Sequence, residues 1–309
     1  MVLDFSDAEI KVINEVFHDI EADAYDCSHD EIFVGEKKTA QDIFSRFFAG
    51  AAKQVILDIG SGTGFVPSTL NACRPTGSAL ICGDISLQML KKSREKQVKG
   101  FSTGISFVKL DADYLPFASR SFDAIILFSV LHHLPDYGRS LQEASRVLKE
   151  GGRLFILHEP NKRFSQNGLL VAFSRLVGYA RGLAAEVRPR QGKKGRSIYD
   201  RFRAAIQTRL SLPKTLTDAE IQALVDIHSP TAAGKLDKGR GFLVENLVSG
   251  LNNECIVEYQ LTKNFFCKAD DSQGLLRLFA SLFSLLFPAD GYIMHLVLKK
   301  QNRVAGVGK

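Results

Sequence analysis

The chain has no tryptophan and little cysteine or methionine, and the cysteine scarcity is the most informative of these. Cys27, Cys73, Cys82, Cys255 and Cys267 are odd in number, show no CxxC spacing and mostly sit in apolar segments. That pattern argues against a disulfide framework or a cysteine zinc site and predicts a reducing compartment. Long apolar runs are lacking as well. The stretch GLLRLFASLFSLLF (274–287) is too short to span a bilayer and contains Arg277, so it reads as a buried helix rather than an interfacial one. The opening MVLDFSDAEI has acids where a secretory signal carries basic residues, and it has no continuous apolar region, which predicts a cytoplasmic protein. Internal repeats and low-complexity tracts are absent.

What is present is an ordinary globular composition, 45% apolar and 24% charged over 309 residues, enough for one large α/β domain with an insertion or for two small domains. The formal net charge of +6 is unevenly spread. Residues 161–214 hold thirteen Lys and Arg against Glu186 and Asp200, while the remainder is net negative. The positive charge therefore belongs to one segment.

Near the N-terminus SDAE (6–9) forms a capping box ahead of Ile10, Ile13, Val16 and Phe17 at helical spacing. From Gln54 onward, short β-branched runs alternate with helical patterns. Strands are predicted at 55–59, 79–83, 105–110, 122–128 and 153–158, with helices at 64–73, 86–96 and 137–149, the last ended by Gly151 and Gly152. After Pro160 the alternation stops for some ninety residues that are helical where readable, including a second capping box, TDAE (217–220). It resumes with a strand at 255–261, a helix at 272–287 stopped by Pro288, and an antiparallel strand at 292–300. The pattern predicts an α/β fold with a doubly wound, mainly parallel seven-stranded sheet and a helical cap inserted between strands five and six. The corresponding units are an N-terminal helical segment (1–50), a sheet domain (51–160 and 251–300), a basic cap (161–250) and a flexible tail (301–309).

The stretch VILDIGSGTGF (55–65) ends in a glycine loop of the form G-x-G-x-G. A dinucleotide loop, G-x-G-x-x-G, would need a third glycine at position 65, which is Phe65, and this counts against NAD or FAD. Asp58 precedes the loop, ICGDIS (81–86) places Asp84 at the end of the second strand, and KLDADYLPFASRSFDAII (109–126) carries Asp111. FSVLHHLPD (128–136) and RVLKEGGRLFILHEP (146–160) follow. In order and spacing these pieces resemble class I S-adenosylmethionine-dependent methyltransferases, in particular the methyltransferase type 11 subgroup that includes the ubiquinone and menaquinone methyltransferases. The likeness covers about residues 17–160 and extends beyond them in topology. It implies a Rossmann-like methyltransferase fold with S-adenosyl-L-methionine as cofactor and no metal. By the same likeness, Gly60, Ser61, Gly62 and Gly64 let backbone approach the amino-acid end of the cofactor, and Asp58 organises that end. Asp84, followed by Ile85, accepts from both ribose hydroxyls. Asp111 accepts from the adenine amine, the Ala112 N–H meets a ring nitrogen, Phe128 is counted among the contacts, and Tyr25 in the N-terminal segment closes over the cofactor.

Four residues are candidates for proton removal: His132 and His133 after the fourth strand, and His158 and Glu159 after the fifth, all at the carboxyl edge of the sheet. In the resembled subgroup the LHH stretch also serves as a structural turn, so the choice stays open. His18 and His29 read as ordinary polar surface. The cap joins the apolar stretch GLLVAFSRLVGYARGLAAEV (168–187) to the basic run RPRQGKKGR (188–196), which suits a small acceptor with apolar and anionic parts, such as a lipid-linked or phosphorylated metabolite, and leaves peripheral membrane contact open. A nucleic-acid acceptor, such as tRNA, is an alternative that the basic run allows. However, aromatics do not interleave with it, and the stretch FSVL (128–131) stands where an N-P-P-Y motif would be. A regulatory protein that binds the cofactor without turnover is a further alternative. The pattern sets neither the acceptor nor the oligomeric state.

Overall fold

Capping, alternation and glycine placement together dictate the element order. The computed structural model describes residues 5–29, 31–99, 104–185, 194–212, 215–230, 239–265 and 274–302. It begins with α1 (Asp7–Glu21), α2 (Tyr25–Ser28), a π-helical turn (Glu31–Glu36) and α3 (Lys37–Phe48). The next run is β1 (Val55–Ile59), α4 (Phe65–Leu70), β2 (Ala79–Asp84), α5 (Leu87–Lys99), β3 (Ile105–Lys109) and β4 (Phe122–Phe128). A 3₁₀ turn (Leu131–His133), α6 (Tyr137–Val147) and β5 (Leu148–Pro160) follow. The insert supplies α7 (Lys162–Gln166), α8 (Gly168–Ala185), α9 (Lys194–Leu210), α10 (Asp218–Val225) and α11 (Val244–Gly250). The chain returns to the sheet through β6 (Cys255–Lys263), α12 (Gly274–Leu286) and β7 (Ile293–Lys300).

The seven strands lie in the order β3-β2-β1-β4-β5-β7-β6. β1 to β5 pair in parallel, and β7 runs antiparallel between β5 and β6. Alternate residues of β1 serve the two faces: Ile56 joins the core beneath α3, where Phe48 stacks on Phe155, while Leu57 and Ile59 join the core beneath α6 and α11. Both faces are thus covered, as a parallel sheet requires.

The structure differs from the sequence reading at four places. Helix α6 ends at Val147 instead of continuing to 149, and β5 starts at Leu148, opposite Phe122. Gly151 adopts φ +74°, and a Cβ on Gly152 would stand 2.9 Å from the Asp123 carbonyl, so these glycines let the strand bend rather than end the helix. The segment 1–50 divides between two cores: α3 belongs to the sheet, whereas Ile13 and Phe17 of α1 pack with Phe202, Ile206 and Ile221 of the insert. The 274–287 stretch is buried along one stripe only, since Leu278, Leu282, Leu285 and Leu286 are exposed. His29 and His18, expected at the polar surface, are drawn inward by partners described below. Much of the basic run 188–196 and most of the tail 301–309 lie outside the described residues.

Candidate active site

Strand β1 ends in a loop that only glycine accommodates. Gly60, Gly62 and Gly64 have φ of +69°, +52° and +97°. A Cβ on Gly60 would sit 2.4 Å from the Val130 side chain, whereas one on Gly62 would meet nothing within 4 Å. Gly60 is therefore needed for packing, and Gly62 faces open space. Gly60→Ala is expected to lose about 2–4 kcal/mol of stability in a urea titration, from left-handed strain plus overpacking. Gly62→Ala pays only the strain, about 1–2 kcal/mol, and the difference between the two variants tests this assignment.

Asp84 ties the loop down. One carboxylate oxygen accepts from the Gly62 amide and the other from the Ser86 amide, each at 2.8 Å, which leaves lone pairs on both oxygens for a diol. Burial raises its pKa. Ile85, Met89, Leu110 and Ala112 form an apolar slot beside it, and Asp111 stands at its rim. Asp111 bonds Lys11 at 2.8 Å, and Lys11 also pairs with Asp113. Helix α1 thus roofs the slot, and its polar stripe of Lys11, Asn14 and His18 faces the pocket. The helix is held there by Glu15 on Lys109 and by Asp19 on the Ser86 hydroxyl. Tyr25 closes the same space, with its ring 4.3 Å from that of His29.

At the other end of the pocket, the fully buried Glu159 accepts from the amides of Val130, Leu131 and His132 at 2.7, 2.8 and 3.3 Å. These are the orphan donors at the start of the 3₁₀ turn, and binding them fixes where the turn points. Glu159 also accepts from His132 Nδ1 at 2.9 Å. Burial works against protonation of His132, but Glu159 and then Asp226 outweigh it and raise its pKa. His133 is the reverse case. Its Nδ1–H donates to the Val225 carbonyl at 2.9 Å, which leaves Nε2 as the unprotonated atom, and burial and the adjacent His132 charge push its pKa well below the ordinary histidine value. Asp226, 3.3 Å from His133 Nδ1, and the His18 ring, 4.9 Å away, complete its surroundings. His132, His133 and Asp226 bring donor atoms within 4.8 Å of one another.

The other residues singled out in the sequence lie outside this pocket. Phe128 is sandwiched between Phe65 at 4.5 Å and the parallel ring of His158 at 5.6 Å. Phe65 itself fills the position where a dinucleotide loop has its third glycine. His158, at φ +59°, is pushed down to about 4 by burial and faces Glu36 at 3.8 Å. Glu36 also meets His295 and Lys263, each at 3.3 Å. Burial opposes ionisation of Glu36, but its contact with His295 and the surrounding positive charge hold it at about 2. Ser61 is buried beneath the loop, and Gly64 packs on Ser93. Asp58 is fully buried, its carboxylate accepts no hydrogen bond from the described residues, and burial pushes it up to about 7. Of the four candidates for proton removal, His133 alone lines the pocket among the described residues.

Sequence reasoning missed Lys11, Asn14, His18 and Asp226. The first three were detectable as a stripe at i, i+3 and i+7 opposite the apolar face of α1. Asp226 lies ninety residues from the histidines and gives no local signal. His29 is held between Glu21 at 3.2 Å and Glu31 at 3.1 Å; burial lowers its pKa, yet the two carboxylates carry it up to about 10.

A family model described as a methyltransferase domain matches residues 57–156, from β1 to β5. Those residues form a class I methyltransferase domain. The ubiquinone/menaquinone biosynthesis C-methyltransferase UbiE of Pectobacterium carotovorum subsp. carotovorum is 34% identical over 151 residues, 47% of this chain and 58% of that protein. The Pseudomonas paraeruginosa UbiE is 31% identical over 148 residues, 48% of this chain and 57% of that protein. The chain thus spans less than two thirds of the length of these curated relatives. Among solved structures, a chain in the complex between the Haloferax volcanii Trm112 methyltransferase activator and a methyltransferase aligns with a TM-score of 0.53 at 14% identity, covering 93% of this chain and 98% of that one. An S-adenosylmethionine-dependent methyltransferase structure from Methanococcus maripaludis aligns at 0.50 and 15% identity, covering 94% and 96%. Both share the fold of the methyltransferase domain. The cofactor of such a domain is S-adenosylmethionine, and the residues present fit it. The pocket offers open space before Gly62, free lone pairs on Asp84 and an apolar slot with Asp111 at its rim, and Asp58 is a buried carboxylate in want of a cationic partner.

Proposed function

We propose that the protein transfers a methyl group from S-adenosylmethionine to a small, amphiphilic acceptor whose reacting proton is acidic, such as a phenol, an enol or an activated ring carbon. S-adenosylmethionine supplies the electrophilic methyl group, so the reaction depends mainly on placement of the two reactants. The protein's part is to bind the nucleoside through Asp84 and Asp111, to exclude water beneath α1, and to take the acceptor's proton at His133 Nε2. As that proton leaves, the acceptor's electron pair forms the new bond to the methyl group and S-adenosylhomocysteine is released.

The observation that carries this reading is the split histidine pair: His132 is bound to Glu159, while His133 donates through Nδ1 to the Val225 carbonyl, lines the pocket and has its pKa lowered by burial and its neighbours. A histidine with a depressed pKa is a weak base, so its natural partner is an acceptor that gives up its proton readily. The names of the bacterial relatives, C-methyltransferases of quinone biosynthesis, support a carbon acceptor on an electron-rich ring. The test is transfer of radiolabelled methyl groups to hydroquinones and phenols with and without an isoprenoid tail. Label is expected in the extracted aromatic product. Binding of S-adenosylhomocysteine with no transfer to any of these acceptors would reject the assigned class.

A further inference from the structure

Helices α8 and α12 share an aromatic seam and leave leucines beside it in the open. The Phe173 ring of α8 lies 5.4 Å from that of Phe279 and 5.2 Å from that of Phe283 on α12. Phe164, Leu170, Val171 and Tyr292 extend this cluster toward the ends of β5 and β7, at the carboxyl edge of the parallel sheet. Next to the inward stripe of α12, Leu278, Leu282 and Leu286 recur every four residues. On α8, Leu169 and Leu176 stand seven apart, which again places them on one face. Together with Leu285, these six leucines are 48% to 79% exposed. Singly exposed leucines are unremarkable in soluble proteins, but a clustered set on two packed helices marks a contact surface.

The charge of the two helices narrows the partner. Neither contains an acidic residue, and each contains arginine: Arg175, exposed next to Leu176, and Arg181 on α8, with Arg277 on α12. The insert that holds α8 is the strongly positive part of an otherwise net-negative chain. A second copy of this face would meet it with charge of the same sign, whereas an anionic lipid surface complements both its leucines and the exposed Arg175. Among the described residues no helix is long and apolar enough to cross a membrane, so the contact is one of lying on the surface.

We infer that the exposed faces of α8 and α12 form a docking surface for anionic lipid bilayers. The inference does not rest on the methyl-transfer reading. It places the carboxyl edge of the sheet, where the pocket lies, near a bilayer from which an apolar acceptor can be drawn.

The experiment is co-sedimentation of the full chain with vesicles of phosphatidylcholine mixed with phosphatidylglycerol and with vesicles of phosphatidylcholine alone. The protein is expected to sediment with the anionic vesicles, to do so less at high salt, and to bind the neutral vesicles more weakly. Leu282→Glu with Leu285→Glu should reduce binding to anionic vesicles at least about tenfold, through lost apolar burial and added negative charge. Leu282→Ser with Leu285→Ser, which adds no charge, should give an intermediate loss. Both positions are exposed, and an unchanged thermal melt and unchanged affinity for S-adenosylhomocysteine would confirm folding. Failure of the wild-type chain to bind anionic vesicles would overturn the inference. So would a solution dimer that the same leucine variants dissociate, because the face would then join two copies.

Discussion

Replacement of His133 by alanine is expected to lower kcat for methyl transfer about 10²–10⁴-fold, the range associated with loss of a positioned base. Affinity for S-adenosylhomocysteine, which takes no part in proton transfer, should change only slightly. The pH profile separates this role from a structural one. As a base His133 would work in its neutral form, and burial and the neighbouring histidines hold its pKa well below the ordinary histidine value of about 6.5. Activity should therefore hold as pH falls past that value and decline only well beneath it. The groups that face this imidazole are His132 on its own turn, His18 from α1, Asp226 and the Val225 carbonyl at the end of α10, and His29 at longer range. An acid limb at or above pH 6.5 that persists in His133→Ala would assign the proton to another group. Partial recovery of the alanine variant by added imidazole would support the assignment.

Asp84→Ala should be comparably severe, but in binding. Its carboxylate organises the loop through Gly62 and Ser86 and has lone pairs left for the ribose hydroxyls. Hydrogen bonds to a charged group are worth about 1.5–3 kcal/mol each. Loss of two such bonds to the ribose corresponds to about 10²- to 10⁴-fold weaker binding of S-adenosylhomocysteine by calorimetry. Asp84→Asn should retain part of the affinity, because its carbonyl oxygen can still accept. Wild-type affinity in Asp84→Ala would mean that the nucleoside binds elsewhere.

The sheet was readable in the sequence because its signals are local. Short β-branched runs, the G-x-G-x-G loop and the two capping boxes specify elements from a few neighbouring residues, and the topology follows from right-handed crossovers. The end of the pocket lined by Asp84, Asp111 and Ala112 was equally accessible, since these residues lie directly at strand ends. The proton-handling end was less so. FSVLHHLPD shows two adjacent histidines, but nothing in it distinguishes the one bound to Glu159 from the one facing the pocket. That distinction depends on Glu159, a strand away, and on the carbonyl of Val225, ninety residues on. Glu159 looked like a candidate base because it follows the strand read from the sequence at 153–158. Its burial under three amides could be seen only once the 3₁₀ turn was placed above it. His18 and His29 were misread for a similar reason: a polar residue on an amphipathic helix looks solvated until the element that covers it is known.

Helix α1 touches two things at once. Its polar stripe roofs the nucleoside slot, and its apolar stripe is embedded in the cap. Any displacement of this helix would therefore be felt at the pocket and in the cap together, and coupling between ligands at the two would be reciprocal. Lys11 adds to this link, because it bonds Asp111 at the rim of the pocket. The seating of this one helix thus ties the pocket to the cap.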